Sequence, residues 1–223
     1  MVSFLLCLLP ALLATSAQAQ TVTCQACYGS ADSCQPPAGT CTVDTAKGGC
    51  VMVVEENTLV TADGTKSTSV SKGCLDDFSA FIKGPVTVTL GNGKYIRVNI
   101  AQCSTENCNS AVLAVPEENT AGNGLQCPTC FDLNSDSCDS QITPCTGDEN
   151  YCIDFAGVRY KGAPASDISR FSGKGCATPS IKDVTPGVSL PSADYVYFFT
   201  KVTSTPAETA TNDLALGQFP SAL

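Results

Sequence analysis

Histidine and tryptophan are absent from all 223 residues. The first absence removes the commonest general base near neutral pH. Ser-His-Asp and Cys-His hydrolysis are therefore excluded, as is any histidine-ligated metal site. No Asn-x-Ser/Thr sequon occurs, so N-linked glycans are not expected. Long apolar runs are missing too, apart from one at the start. Residues 1–19, MVSFLLCLLPALLATSAQA, are uncharged and end in the small-x-small pattern Ala17-Gln18-Ala19. That run is too short and too proline-broken for a comfortable membrane span. It has the form of a secretory signal peptide, without the usual basic residue at its start. Cleavage before Gln20 and a secreted, extracellular product are the expectation. The closing stretch DLALGQFPSAL has no hydrophobic tail, so no glycolipid membrane anchor is expected.

Cysteine, by contrast, is plentiful, with 15 residues. Removing the signal peptide takes Cys7 with it and leaves an even 14, the parity of a fully paired exported protein. Export supplies the oxidising compartment in which disulfides persist. The formal net charge is −9, unevenly placed. Gln20 to Val115 holds eight acids and six bases, a net of −2; Pro116 onward holds thirteen and six, a net of −7. Acidity suits neither nucleic acid nor an anionic membrane; it serves solubility and attracts a basic partner at long range.

The cysteines repeat. From Cys24 they fall at 24, 27, 34, 41, 50 and 74; from Cys127 at 127, 130, 138, 145, 152 and 176. The gaps are 3, 7, 7, 9 and 24 against 3, 8, 7, 7 and 24, and each sixth cysteine closes a Lys-Gly-Cys tripeptide. The chain is therefore two copies of one module, at about 24–109 and 127–204. Between them AVLAVPEENTAGNGLQ reads as a linker, and the Thr/Ala/Pro-rich stretch from Thr205 as a flexible tail. Inside each module the pattern is β. VMVVEE (51–56) precedes the turn signal Asp63-Gly64 and STSVSKGC. VTVTL, Gly91-Asn92-Gly93 and KYIRVNI make the clearest hairpin. CIDFAGVRY and YVYFFTKV are the strongest strands of the second copy. An all-β fold follows.

The two CxxC pairs, at 24–27 and 127–130, have other conceivable uses. A thioredoxin-like CxxC opens a helix in a βαβ unit, and a zinc ribbon folds two knuckles around one metal. Here each pair opens a β module, and the two lie about a hundred residues apart. Structural disulfides fit; no catalytic residue, metal or cofactor is expected. Modules of this size with little core depend on such staples. A loop of about 25 residues closed by a disulfide restricts the unfolded chain by roughly 3–4 kcal/mol.

With CQAC, the later cysteines, Lys-Gly-Cys and CSTENCN in place, the first module resembles the Ly6/urokinase-receptor (LU) three-finger family, whose domains close on a cysteine pair and an asparagine. The second, CIDFAGVRYKGAPASDISRFSGKGC, is similar to the gamma-type phospholipase A2 inhibitors, and KYIRVNIAQC echoes them. The resemblance implies two tandem disulfide-rich three-finger (snake-toxin-like) domains at 20–110 and 127–204, the second without the closing Cys-x4-Cys-Asn. Residues 1–19 are then the signal peptide, 111–126 the linker and 205–223 the tail. It also implies the pairs Cys24–Cys50, Cys27–Cys34, Cys41–Cys74, Cys103–Cys108, Cys127–Cys152, Cys130–Cys138 and Cys145–Cys176. Spacing alone does not choose among connectivities. Bridges common in the family are missing in pairs: Ala80 and Gln102 stand at one, Ser180 and Ser204 at another.

The reduced count, eight cysteines and then six, also resembles the sodefrin precursor-like factors, secreted amphibian pheromones. The implied functions are non-enzymatic. The first is inhibitor-like binding of an extracellular protein such as a secreted phospholipase A2. The second is a signalling ligand for a receptor, and a more distant third is a soluble urokinase-receptor-like binding protein. Three-finger recognition uses loop tips and an open sheet face. The candidate contacts are Leu59, Asp63, Lys66, Arg159, Tyr160 and Lys161, and Glu117-Glu118 could steer a basic partner. Mass spectrometry of the non-reduced mature protein should find no free thiol; a free thiol would end the paired-loss reading.

Overall fold

The computed structural model describes residues 20–30, 34, 39–59, 64–79, 81–111, 113–161 and 166–210. Residues 1–19, the expected signal peptide, lie outside them, as do Asp63 and Ala80. The described residues form an all-β protein. In the first module three hairpins succeed one another: β1 (Thr21–Gly29) with β2 (Gly39–Asp44), β3 (Gly49–Asn57) with β4 (Ser67–Leu75), and β5 (Val86–Gly91) with β6 (Lys94–Cys103). The second module repeats them as β7 (Gly122–Leu133) with β8 (Gln141–Thr146), β9 (Tyr151–Lys161) with β10 (Ser166–Ala177), and β11 (Ser189–Pro191) with β12 (Val196–Pro206). A two-residue β13 (Glu208–Thr209) follows. These are two tandem three-finger domains.

Alternation explains the third finger. Val86, Val88 and Leu90 of β5 and Ile96, Val98 and Ile100 of β6 point to one face and are buried; Thr87, Thr89, Tyr95, Arg97 and Asn99 take the other. The turn Gly91-Asn92-Gly93 has positive φ throughout, 77°, 52° and 73°. Glycine and asparagine are the residues that tolerate this, as a tight hairpin requires.

The modules do not sit apart like beads. β10 pairs β9 and β7 and then, at its far end, β5 of the first module, with Cys176 opposite Thr89 and Ala177 opposite Val88. The sheet is thereby continuous, in the order β11-β12-β9-β10-β5-β6-β3-β4-β1-β2. The close approach requires Gly175, where an added Cβ would lie 2.4 Å from the Thr89 carbonyl oxygen. At the other end of β5 a Cβ on Gly91 would lie 2.2 Å from Thr129 Oγ1. One hydrophobic core spans the junction: Val53, Leu59, Val86, Leu90 and Val98 join Phe131, Phe155, Phe171, Tyr197 and Phe199. Phe171, fully buried, makes edge contacts with Tyr197 (5.2 Å between centroids) and Phe199 (5.8 Å).

The structure joins Cys24 to Cys50, Cys27 to Cys34, Cys41 to Cys74 and Cys103 to Cys108 in the first module. In the second it joins Cys127 to Cys152, Cys130 to Cys138 and Cys145 to Cys176. The base of the first module is closed by Asn109, 3% exposed. Its side chain accepts from the Gln25 amide at 2.9 Å and donates to the Gln25 and Val51 carbonyls at 2.8 and 3.1 Å.

The second module lacks that clasp and closes differently. The first residues of the stretch expected to be a flexible tail belong to strands. β12 runs to Pro206, Glu208 and Thr209 pair with Gln126 and Leu125 of β7, and the Ala207 amide donates to the Asn150 carbonyl. A strand edge on β7 needed hydrogen-bond partners, and the tail supplies them. The expected linker likewise ends early, since β7 starts at Gly122.

Because Phe171 is fully buried in the core cluster that holds residues of both modules, Phe171→Ala should cost about 3–5 kcal/mol. Calorimetry should show both modules melting in one transition at lower temperature; loss of the second module alone would show the core to be divided.

Candidate functional site

The apolar run of β3 ends in two acids, and the sheet treats them differently. Glu56 turns to the outer face. Glu55 turns toward the second module, where it is fully buried. There its carboxylate accepts from the Asn57 amide group at 2.7 Å and from the backbone N–H of Ala193 at 2.8 Å. Ala193 lies in the turn between β11 and β12, so a loop of one module is held by a carboxylate of the other. The next residue, Asp194, accepts from the Tyr28 hydroxyl and, at 3.1 Å, from the Ser69 hydroxyl, both in the first module. Lys161 places its ammonium 5.5 Å from the Tyr28 ring centre and 5.6 Å from that of Tyr195, spanning the junction.

A second feature lies on the outer face of β5 and β6. Thr87, Thr89, Tyr95 and Arg97 form the floor of a cleft of about 720 Å³. Its walls are residues 116–120, the turn at 146–149 and residues 178–180. Arg97 stacks on Tyr95 at 4.5 Å and pairs with Glu56 (2.9 Å) and Glu118 (3.3 Å). Glu149, 3% exposed, accepts from Thr89 Oγ1 at 2.6 Å and from Thr146 Oγ1 at 3.2 Å. Burial pushes its carboxyl above the ordinary value, and the Thr89 and Thr146 donors pull it part of the way back.

The expected contact residues are scattered. Leu59 is buried in the shared core. Arg159 is buried within the second module, donating to Ser169 Oγ at 2.9 Å and stacking on Tyr195 at 4.3 Å. Neither side chain is exposed. Tyr160 is half-buried on β9, and Lys66 is exposed, 3.3 Å from Glu56. Asp63 lies outside the described residues. The residues that build the junction and the cleft, namely Glu55, Asp194, Arg97 and Glu149, carry no sequence motif. The only hint was charge at the end of a run of buried-strand residues, in VMVVEEN. Three cysteine triplets have sulfurs within 4.8 Å of one another, but each sulfur is in a disulfide and none is a thiolate ligand. No described helix is long and apolar enough to cross a membrane.

Of the four positions where the resemblance implied further bridges, Gln102, Ser180 and Ser204 are described. Gln102 Nε2 and Ser204 Oγ are buried without hydrogen-bond partners among the described residues. Ser180 is exposed and donates to the Pro85 carbonyl of the first module, a bond that its cysteine counterpart would not make.

The u-PAR/Ly-6 domain family matches residues 20–111 and 123–191. The chain belongs to the u-PAR/Ly-6 family. Its matched segments include all fourteen cysteines of the two modules. Among its u-PAR/Ly-6 relatives, a phospholipase A2 inhibitor gamma chain of Laticauda semifasciata is 34% identical over 80 residues, 35% of this chain and 42% of that one. Protein RoBo-1 of Rattus norvegicus is 27% identical over 107 residues, 48% of this chain and 42% of that one. The aligned part thus spans about two fifths of these relatives. The crystal structure of mouse TEX101 is similar at 19% identity and a TM-score of 0.35, over 85% of this chain and 100% of that one.

The junction carboxylate sets a pH dependence for this u-PAR/Ly-6 pair. Burial raises the Glu55 carboxyl above its ordinary value, and Asp194 adds to the rise; the Ser192 hydroxyl and the Ala193 and Asp194 amides offset part of it. The folded chain therefore holds a proton at pH values where an unfolded glutamate has lost it, so stability falls as pH rises through the folded value. Acidifying from neutral toward the ordinary carboxylate range should raise the melting temperature. Glu55→Gln should remove much of that rise relative to the parent. An identical pH profile in the variant would show that Glu55 does not titrate in this range.

Proposed function

We propose that this protein is a non-catalytic, secreted binding protein that acts as a phospholipase A2 inhibitor. It holds an extracellular phospholipase A2 by loop and sheet-face contacts. The observation that carries the reading is the similarity to phospholipase A2 inhibitor gamma chains, 34% identical over 80 residues in Laticauda semifasciata and 33% over 88 in Elaphe climacophora. The physical features agree with it. A histidine-free chain with all described cysteines in disulfides offers no histidine- or thiol-based hydrolytic machinery of its own. The shared core makes the two modules one platform, which lowers the ordering cost of binding. Residues 1–19 act as the signal peptide in this reading, and the two binding domains occupy 20–110 and 127–204. Lys66, Tyr160 and Lys161 remain surface candidates for contact.

Purified mature protein should bind at least one of several secreted phospholipases A2 in surface plasmon resonance and lower its turnover of phospholipid vesicles. Absence of both binding and inhibition across basic, neutral and acidic enzymes would overturn the proposal.

A further inference from the structure

The cleft over β5 and β6 has an unbalanced charge. Six acidic or basic side chains line it: Lys94, Arg97, Glu117, Glu118, Asp148 and Glu149. Both bases are already engaged. Arg97 is held between Glu56 and Glu118. Lys94 directs its ammonium to the Phe131 carbonyl at 3.2 Å and over the Phe131 ring at 5.8 Å. Among the described residues, no lysine or arginine forms an ion pair with Glu117, Asp148 or Glu149. Glu149 is a buried acid with neutral donors only. Glu117 and Asp148 are exposed, on two neighbouring lining segments joined by the hydrogen bond from the Gly147 amide to the Ala121 carbonyl. The floor beside them is the half-buried sheet face of Thr87, Thr89 and Tyr95, with Arg97 stacked on the Tyr95 ring.

We propose that this cleft seats a lysine- or arginine-bearing loop of the protein partner. One cationic side chain would meet Glu117 and Asp148 with its stem over the threonine side chains of β5. The charge argues for this occupant over others. A second copy of the chain brings a net −9 and is repelled, and the chain's own last 13 residues carry one acid and no base. The walls come from both modules and the linker, so the site exists only because β10 pairs β5. Aliphatic stems of lysine and arginine pack on apolar surface while the charged head meets carboxylates, which matches the mixed lining. The acids also speed encounter with a cationic patch, most strongly at low salt. The inference rests on the binding-protein reading above and names the chemistry of the surface it uses.

Two experiments separate this proposal from that reading. In the first, an octalysine peptide is titrated into isotopically labelled mature protein and followed by NMR. Amide shifts should concentrate at Thr89, Tyr95, Glu117 and Asp148; shifts spread over all exposed acids would overturn the proposal. In the second, Glu117→Gln with Asp148→Asn is compared with Asp132→Asn with Asp139→Asn. Both pairs are exposed and both remove two charges. Against a phospholipase A2 that the parent binds, the cleft pair should weaken binding about tenfold at low salt and flatten its salt dependence. The distant pair should change it little. Equal effects from the two pairs, or no effect from the first, would overturn the cleft and leave the inhibitor reading standing. Peptide seated in the cleft of a protein that binds no phospholipase A2 would do the reverse.

Discussion

The pairing of β10 with β5 is the constraint on which the rest of the molecule depends. It is short, two residue pairs, yet it brings the aromatic face of the second module onto the aliphatic face of the third finger of the first. Neither face is large enough to form a core alone, and small three-finger modules are marginal without help. Together they enclose Phe171 completely and bring Leu59, at the end of the second finger, into the same cluster. Disulfides organise each module internally, but none crosses between modules among the described residues. The union of the two is therefore hydrophobic and hydrogen-bonded.

Both polar features follow from that union. On one side of the sheet the β11–β12 turn is pressed onto the first module, so Glu55 loses water and receives the Ala193 amide in its place. On the other side the linker and two loops of the second module rise around the outer face of β5 and β6, making a cleft. A carboxylate deprived of water and given neutral donors keeps part of its desolvation cost. Glu55 and Glu149 are both in that position, one beneath the junction and one in the wall of the cleft. The molecule thus tolerates two desolvated acids at the places where its modules meet, as expected where packing of one surface on another is decided by shape first.

Much of the fold was legible in the sequence. The paired cysteine spacings, the hairpin around Gly91-Asn92-Gly93 and the strands CIDFAGVRY and YVYFFTKV all correspond to elements of the structure. The expected contact residues fared differently. Leu59 looked like a finger tip because a turn signal follows it, and Arg159 looked exposed because it sits in a polar stretch. Leu59 is buried in the core shared with the other module, and Arg159 by Ser169 and Tyr195 of its own; local sequence encodes neither contact. The stretch beyond Thr205 looked loose from its composition, yet Glu208 and Thr209 within it pair with β7, whose open edge was available.

The Lys-Gly-Cys tripeptide divides the two kinds of information. The sequence by itself determined that the chain holds two copies of one cysteine-rich module, because that pattern recurs with the same 24-residue gap. It also excluded histidine chemistry outright. Only the tertiary structure decided that Gly73 faces open space while Gly175 lies against the Thr89 carbonyl, where a side chain would collide. The two glycines have the same neighbours in sequence and opposite roles in packing. Contact between modules is set by distances across chain segments some ninety residues apart, and no local pattern records them.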